Sequence, residues 1–557
     1  MRGTASREHG RFATLLWLVL VGCSDEGSGG AVESVSDQGS SPTLGLPSNG
    51  AKDVSVDSPE AGPRAGVAAG QGVSASTVGG MGMLTGDDTP TSPMASEPSV
   101  GSGLDGVEDV DAGMVDAEAL LDAGVPTSEP RSTGWGLAVQ IADTEGPFSV
   151  NAAMDVNGNA IASWTNFQED PEGVYANYYD ADVGRWWNAT LVERVDHSLK
   201  AASPQVGLDA KGNALVVWHR ESEDLVSSQV WGNRYDADKK AWDQARRVSS
   251  GTGMLTELVV HPSGDATGLW TRIDGLSISL ATSHYEVEAR EWSAAEDFER
   301  SSGIGASIIP IVATSREGAA VVAWTKGDLL TGTVTAQARR LAVGASSWGI
   351  AEEVARDTTM VGNTTLIVTG AAINDAGTAF VVWQDAEQEQ VTTVWVSRYD
   401  ESLGVWGEPE RLGLPGMEVA QLPQIAVDPA GNAIAVWGAY VQEHQQVWVN
   451  HYRANVGRWE GAQVLESDSD ANCLAPQIGV DDMGYAILVF TRQNVDGEAV
   501  WSNRYDALTE RWESSIPFDL GGLSEGAEPR LAVSPNGEAV VVWMNWSGGV
   551  YANHFRP

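Results

Sequence analysis

The sequence predicts an all-β fold, an eight-bladed β-propeller of four-stranded blades, and three spacings predict it. Eight glycines (Gly158, Gly212, Gly264, Gly318, Gly377, Gly431, Gly484 and Gly537) are each followed six residues later by a large aromatic residue: Trp164, Trp218, Trp270, Trp324, Trp383, Trp437, Phe490 and Trp543. The steps between the glycines are 54, 52, 54, 59, 54, 53 and 53 residues. Inside that period Tyr179, Tyr235, Tyr285, Tyr399, Tyr452 and Tyr505 each stand seven residues before Trp186, Trp242, Trp292, Trp406, Trp459 and Trp512, and one repeat keeps only the tryptophan, Trp348 after Leu341. The last repeat stops at Phe555 without its tryptophan, and the missing piece stands at the other end of the domain as Trp135. A period of this length without a helical or coiled-coil pattern is that of radially repeated small sheets.

Each element of one unit follows from its residues. In PQIAVDPAGNAIAVW the alternating run through Ile425 and Val427 reads as the first strand. Asp428-Pro-Ala-Gly431 reads as a type I turn, because Pro presets φ at the second position and Gly tolerates the exit geometry. NAIAVW is the second strand, VWVNHY the third, and a tight turn from Asn455 to Gly457 leads to the fourth, which opens at Trp459. Period-2 alternation and β-branched residues support all four. Because Trp135 opens a fourth strand with nothing of its own repeat before it, the first strand of the domain is expected to complete the last blade. Such closure removes open sheet edges. The repeated rings are expected to form the core between blades. A buried Trp is worth at most about 4–6 kcal/mol, and a ring present in every blade is better explained by packing than by ligand stacking.

The Tyr-x6-Trp element with Asp after the Tyr, as in NRYDALTERW and SRYDESLGVW, resembles the kelch repeat of β-propellers. The place of the kelch Gly-Gly doublet is taken here by Trp. Turns such as SPNGEAVVVW resemble those of TolB-type propellers. The resemblance covers residues 133–557. It implies a binding module, with a few enzymes such as galactose oxidase in the wider group, but no His/Tyr/Cys cluster corresponds to that copper site.

Residues 1–23 resemble a bacterial lipoprotein signal: Arg2, Arg7 and Arg11, then the apolar run FATLLWLVLVG, then Leu20-Val21-Gly22-Cys23 as a lipobox. The run is too short to span a bilayer, and acylation of Cys23 would anchor the chain. Ser24 after the cysteine favours transfer to the outer membrane, as in enteric bacteria. Residues 24–132 contain no Phe, Trp or Tyr and hold 18 acidic and 3 basic residues. They are expected to form a disordered acidic tether, since such a composition buries too little apolar surface to offset ordering entropy.

The net charge of −43, with −30 of it in residues 133–557, argues against nucleic acid and anionic lipid as partners. With Cys23 acylated, Cys473 has no disulfide partner. No Cys/His spacing suits zinc, so no metal and no cofactor is expected. The loops between second and third strands vary most and are expected to carry recognition. Two residues after the repeated aromatic come Arg220, Arg272, Lys326 and Arg492. They read either as a partial cationic ring for an anionic ligand or as local pairs with Glu221, Asp224, Asp274 and Asp328. No catalytic set is identifiable: the turns are not sialidase Asp boxes, and no serine elbow, P-loop or Rossmann glycine pattern occurs. The expected function is a monomeric, surface or periplasmic binding and scaffolding lipoprotein for a protein or glycan partner. The alternative is a carbohydrate-active hydrolase or lyase on the same scaffold.

Overall fold

A computed structural model describes residues 134–557 apart from 167–171, 195–199, 222–227, 250, 275–276, 300–309, 329–332, 346, 358–365, 389–390, 415–417, 442–443, 469, 496, 519–525 and 546–547. The expected signal, Cys23 and the expected tether lie outside the described residues. Every element in the described residues is a β-strand, and the strands form eight antiparallel sheets. The inner strands of blades 1 to 8 are Pro147–Met154, Lys200–Leu208, Met254–Val260, Ile311–Thr314, Ile367–Ile373, Glu418–Val427, Asn472–Val480 and Gly526–Val533. Each of these touches the next, and the last touches the first, so they form a ring around a central channel.

Closure is made by the N-terminal end of the domain. Gly134–Trp135 and Val139–Ala142 both pair with Val550–Arg556, the third strand of blade 8. Trp135 stands opposite Phe555 and packs edge-on against Phe518 of blade 7 and Phe555, at 4.6 and 5.4 Å between ring centroids. In most blades the fourth strand differs from the single run expected. It is split, as in Arg458–Trp459 and Gln463–Glu466, and both pieces pair with the same third strand.

The turn residues behave as their chemistry requires. In blade 6 the Gly431 N–H donates to the Asp428 carbonyl at 3.0 Å, and Gly431 has φ of +86°, where a side chain would be strained. Asp428 accepts the backbone and side-chain N–H groups of Asn432, each at 2.8 Å, and the Asn432 side-chain Oδ1 accepts the Ala454 N–H at 3.0 Å. One Asp-x-x-Gly-Asn unit thus fastens both turns at one end of a blade. Blades 1 and 2 repeat it with Asp155/Asn159 and Asp209/Asn213.

Two sets of rings fill the seams. The aromatics six residues after the glycines are buried to 2% exposure or less. Each packs against the third and fourth strands of the preceding blade: Trp437 lies on Val394, Val396 and Leu412, and Trp164, across the closure, on Val550, Ala552 and Ile141. The second set sits further out. At six seams the residue before the third-strand Tyr or Phe, or before Leu341 in blade 4, lies over the equivalent ring of the next blade. Arg340 lies over Tyr399 and Arg398 over Tyr452, at 3.2 and 5.7 Å. His451 stacks on Tyr505 and His554 on Tyr179, both at 4.7 Å. Burial holds both histidines down at about 4, so they stack as neutral rings. The fourth-strand tryptophans are only half-buried and lie against the Tyr of their own blade, as Trp459 does on Tyr452 at 5.4 Å. They cover the core rim rather than fill it, because they are on the outermost strand.

Candidate functional site

The channel has a distinct construction at each end. At one end lie the turns between first and second strands. There Arg316 of blade 4 forms an ion pair with Asp482 of blade 7, which crosses the axis. Neighbouring turns are also joined, the Ala210 N–H donating to the Pro262 carbonyl at 3.2 Å and the Asp482 N–H to the Pro535 carbonyl at 3.0 Å. The other end, where the inner strands begin, is the end of the variable loops, most of which lie outside the described residues.

At that mouth the inner strands are bulged. One extra residue interrupts the pairing of Phe148 to Asn151, Ala202 to Gln205, Gln421 to Gln424, Leu474 to Gln477 and Ala527 to Arg530. The residue inside each of these bulges, Ser149, Ser203, Leu422, Ala475 or Glu528, has φ between +48° and +58°. None is glycine, so each costs backbone strain. Pro follows in four of the five, as Pro204, Pro423, Pro476 and Pro529. Proline is tolerated because the channel edge of an inner strand has no ladder partner to lose. Repeated strained bulges are found where a chain re-aims side chains towards a functional surface.

Seven residues before each glycine, and directly below the bulge in the five blades that have one, stand Asn151, Gln205, Glu257, Ile311, Gly370, Gln424, Gln477 and Arg530. Each is opposite the residue preceding the buried aromatic of its blade. The amides tie neighbouring inner strands together. Asn151 Nδ2 donates to Gln205 Oε1 at 2.7 Å, Gln477 Oε1 accepts the Leu531 N–H at 3.0 Å, and Gln424 Nε2 donates to the Thr369 carbonyl at 2.9 Å. Gly370 has no side chain because a Cβ there would come within 3.0 Å of the Pro423 carbonyl oxygen and 3.3 Å of Gln424 Cα.

Two of these neck residues are charged. Arg530 is 36% exposed, with Nη1 3.3 Å from the Pro529 carbonyl and Nη2 3.9 Å from Glu528. Glu257 is half-buried, and the surrounding ring desolvates it. Burial pushes its carboxyl up to about 8, and Arg530, three blades away round the ring, pulls it down. Among the described residues no hydrogen bond or ion pair engages the Glu257 carboxylate.

The four cations singled out from the sequence lie elsewhere, each held at its own place. Arg220 pairs with Glu193 and lies 3.7 Å over the Trp231 ring. Lys326 Nζ is 2.7 Å from Glu299, and Arg492 pairs with Asp468. These three acids come from the outer part of the preceding blade, whereas Arg272 pairs with Asp297 of its own blade. The sequence-expected partners Glu221, Asp224, Asp274 and Asp328 lie outside the described side chains. An anionic ligand at these cations would have to displace carboxylates already in place. A separate groove of about 670 Å³ lies on the outer rim at the closure seam, lined by Gly134, Leu137, Trp186, Trp187 and Arg556 among others. Among the described residues no group of three or more His, Cys, Asp or Glu is placed to hold a metal ion. Cys473 is buried and its thiol is pushed up to about 12 by that burial.

The fold and the channel define the class: an eight-bladed, N-terminally closed β-propeller. No family model matches the chain, and no curated protein matches it. Among solved structures it is similar to the polysaccharide lyase Uly1 at 9% identity and TM-score 0.45, over 77% of this chain and 94% of that one. It is similar to the Dos1 propeller at 7% identity and TM-score 0.45, over 76% and 94%. It is also similar to the β-propeller domain of the Trilobed protease from Pyrococcus furiosus at 9% identity and TM-score 0.39, over 68% and 96%. At these identities the likeness is one of architecture.

A stability measurement tests the placement of Glu257. Between pH 4.5, the ordinary carboxyl value, and about 8 the folded state keeps a proton that the unfolded chain has shed. Stability contributed at this group therefore falls as pH rises through that window. Glu257→Gln should remove the fall, so its melting temperature should gain on that of the parent between about pH 5 and about pH 8.5. Parallel melting curves for the two proteins would contradict a desolvated channel carboxyl.

Proposed function

We propose that this protein is a binding and scaffolding module of the bacterial cell envelope, with a repeat of kelch or TolB type, that receives a protein or glycan partner at the loop-bearing mouth of its propeller. In this reading residues 1–23 are a lipoprotein signal, Cys23 carries the lipid anchor in the outer membrane, and residues 24–132 hold the propeller away from the bilayer. The observation that carries the reading is the construction of the channel. Its far end is crossed by Arg316–Asp482, its mouth is set by strained bulges, and its neck presents a carboxylate without a hydrogen-bond or ion-pair partner among the described residues and a half-open guanidinium. A scaffold without a ligand has no use for strained backbone around buried charge.

The hydrolase or lyase reading draws on Glu257, whose raised carboxyl could hold a proton near neutral pH. Two-carboxylate hydrolysis needs a second group about 5–10 Å away, and Glu257 is the only carboxylate among the eight neck positions. Binding is therefore the reading the site supports better.

The double variant Glu257→Gln/Arg530→Gln should melt cooperatively like the parent and lose most capture of its partner from envelope extracts or polysaccharide arrays. Undiminished capture would overturn the channel reading. Radiolabelled palmitate should enter the parent and not Cys23→Ala; label retained in the variant would refute the anchor.

A further inference from the structure

We infer that the channel neck takes the ammonium group of a lysine side chain presented by a basic protein partner, with Glu257 as its counter-ion. This rests on the reading of the channel as the binding site.

Among the described residues the neck offers Glu257 no close cation. Arg530, three blades away round the ring, acts on it electrostatically but is engaged by the Pro529 carbonyl and by Glu528. The positions flanking Glu257 in the ring, Gln205 and Ile311, carry no charge. Among the described residues Arg530 is the charged group that acts on it, and Glu528 lies beside Arg530 in the bulge above the neck. A carboxylate held in a desolvating ring without a close partner is costly to ionise, and an incoming cation removes that cost. The remaining protons of an ammonium need acceptors, and the neck supplies amide oxygens and the unladdered carbonyl edge of the inner strands. A planar, forked guanidinium is suited to a bidentate site, whereas a compact ammonium on a thin stem suits a narrow tube with acceptors on all sides.

Access and field favour the same ligand. The Arg316–Asp482 pair crosses the far end, so the group enters from the loop face. Residues 133–557 carry a net charge of −30, which draws basic proteins and disfavours anionic ones. A metal ion is a poorer fit, since Glu257 is the only carboxylate among the eight neck positions and hard cations take several oxygen ligands, usually with more than one charge.

The experiment is titration calorimetry of the full chain with an oligolysine peptide. The parent should bind it, and Nε-acetylated oligolysine should not bind. Glu257→Gln should weaken binding about tenfold or more, whereas Glu291→Gln, on the exposed outer rim, should leave it unchanged although it alters net charge equally. Near pH 6.5, binding to the parent should release about one proton as Glu257 ionises, and the release should vanish in Glu257→Gln. Equal binding by parent and Glu257→Gln overturns the inference. Free spermidine binding as tightly as the peptide overturns the assignment to a protein partner. If Glu257→Gln binds oligolysine normally while the double variant Glu257→Gln/Arg530→Gln still loses its envelope partner, the ammonium assignment alone falls and the channel reading stands.

Discussion

The structure depends on one contact made at each seam, in which a blade inserts an aromatic ring into the outer half of the blade before it. Trp437 against Val394, Val396 and Leu412 is one instance, and Trp164 against Val550, Ala552 and Ile141 is the instance that closes the ring. A four-stranded sheet buries neither face alone, so each blade is stable only between two others. The ring removes end blades, and with them the need for caps. The closing strands are therefore part of the core: Ile141 is buried under Trp164, and Trp135 sits between Phe518 and Phe555.

The seam also explains where the basic residues of an acidic domain go. Arg340 and Arg398 lie over the tyrosines of the next blade, and Arg220, Lys326 and Arg492 take carboxylates from the preceding one. These cations join blades. What remains open at the axis is the neck, where Glu257 and Arg530 replace the amides that elsewhere tie inner strand to inner strand. The inner strands tolerate strain there because their turns at the other end are pinned by Asp–Asn networks and by contacts from turn to turn.

The architecture was legible because Gly431 and Trp437 have the same work in every blade, and identical work leaves identical residues. Trp135 was legible for the same reason, as an outer strand without a blade. The neck was harder to read. Asn151, Gln205, Glu257 and Arg530 share a position and differ in side chain, so a search for repeated residues passes over them. A signal was present in Pro204-Gln205, Pro423-Gln424, Pro476-Gln477 and Pro529-Arg530, where proline inside a strand marks an unpaired edge or a bulge. The partners of the cations were not legible, because Glu193 and Arg220 are 27 residues apart and meet only when two blades face each other. The cations two residues after each aromatic lie at the seams, whereas the two neck charges, Glu257 and Arg530, stand seven residues before Gly264 and Gly537.

The measurement that tests the account most directly is limited proteolysis and thermal unfolding of the full chain lacking Gly134–Ala142, beside a control with an equal deletion within residues 24–132. If closure completes the common core, the control should unfold like the parent. The closing-strand deletion should melt at lower temperature and be cut first within blade 8, between Gly526 and Arg556. A deletion that melted like the parent and was cut elsewhere would contradict the claim that the ring depends on its closed seam.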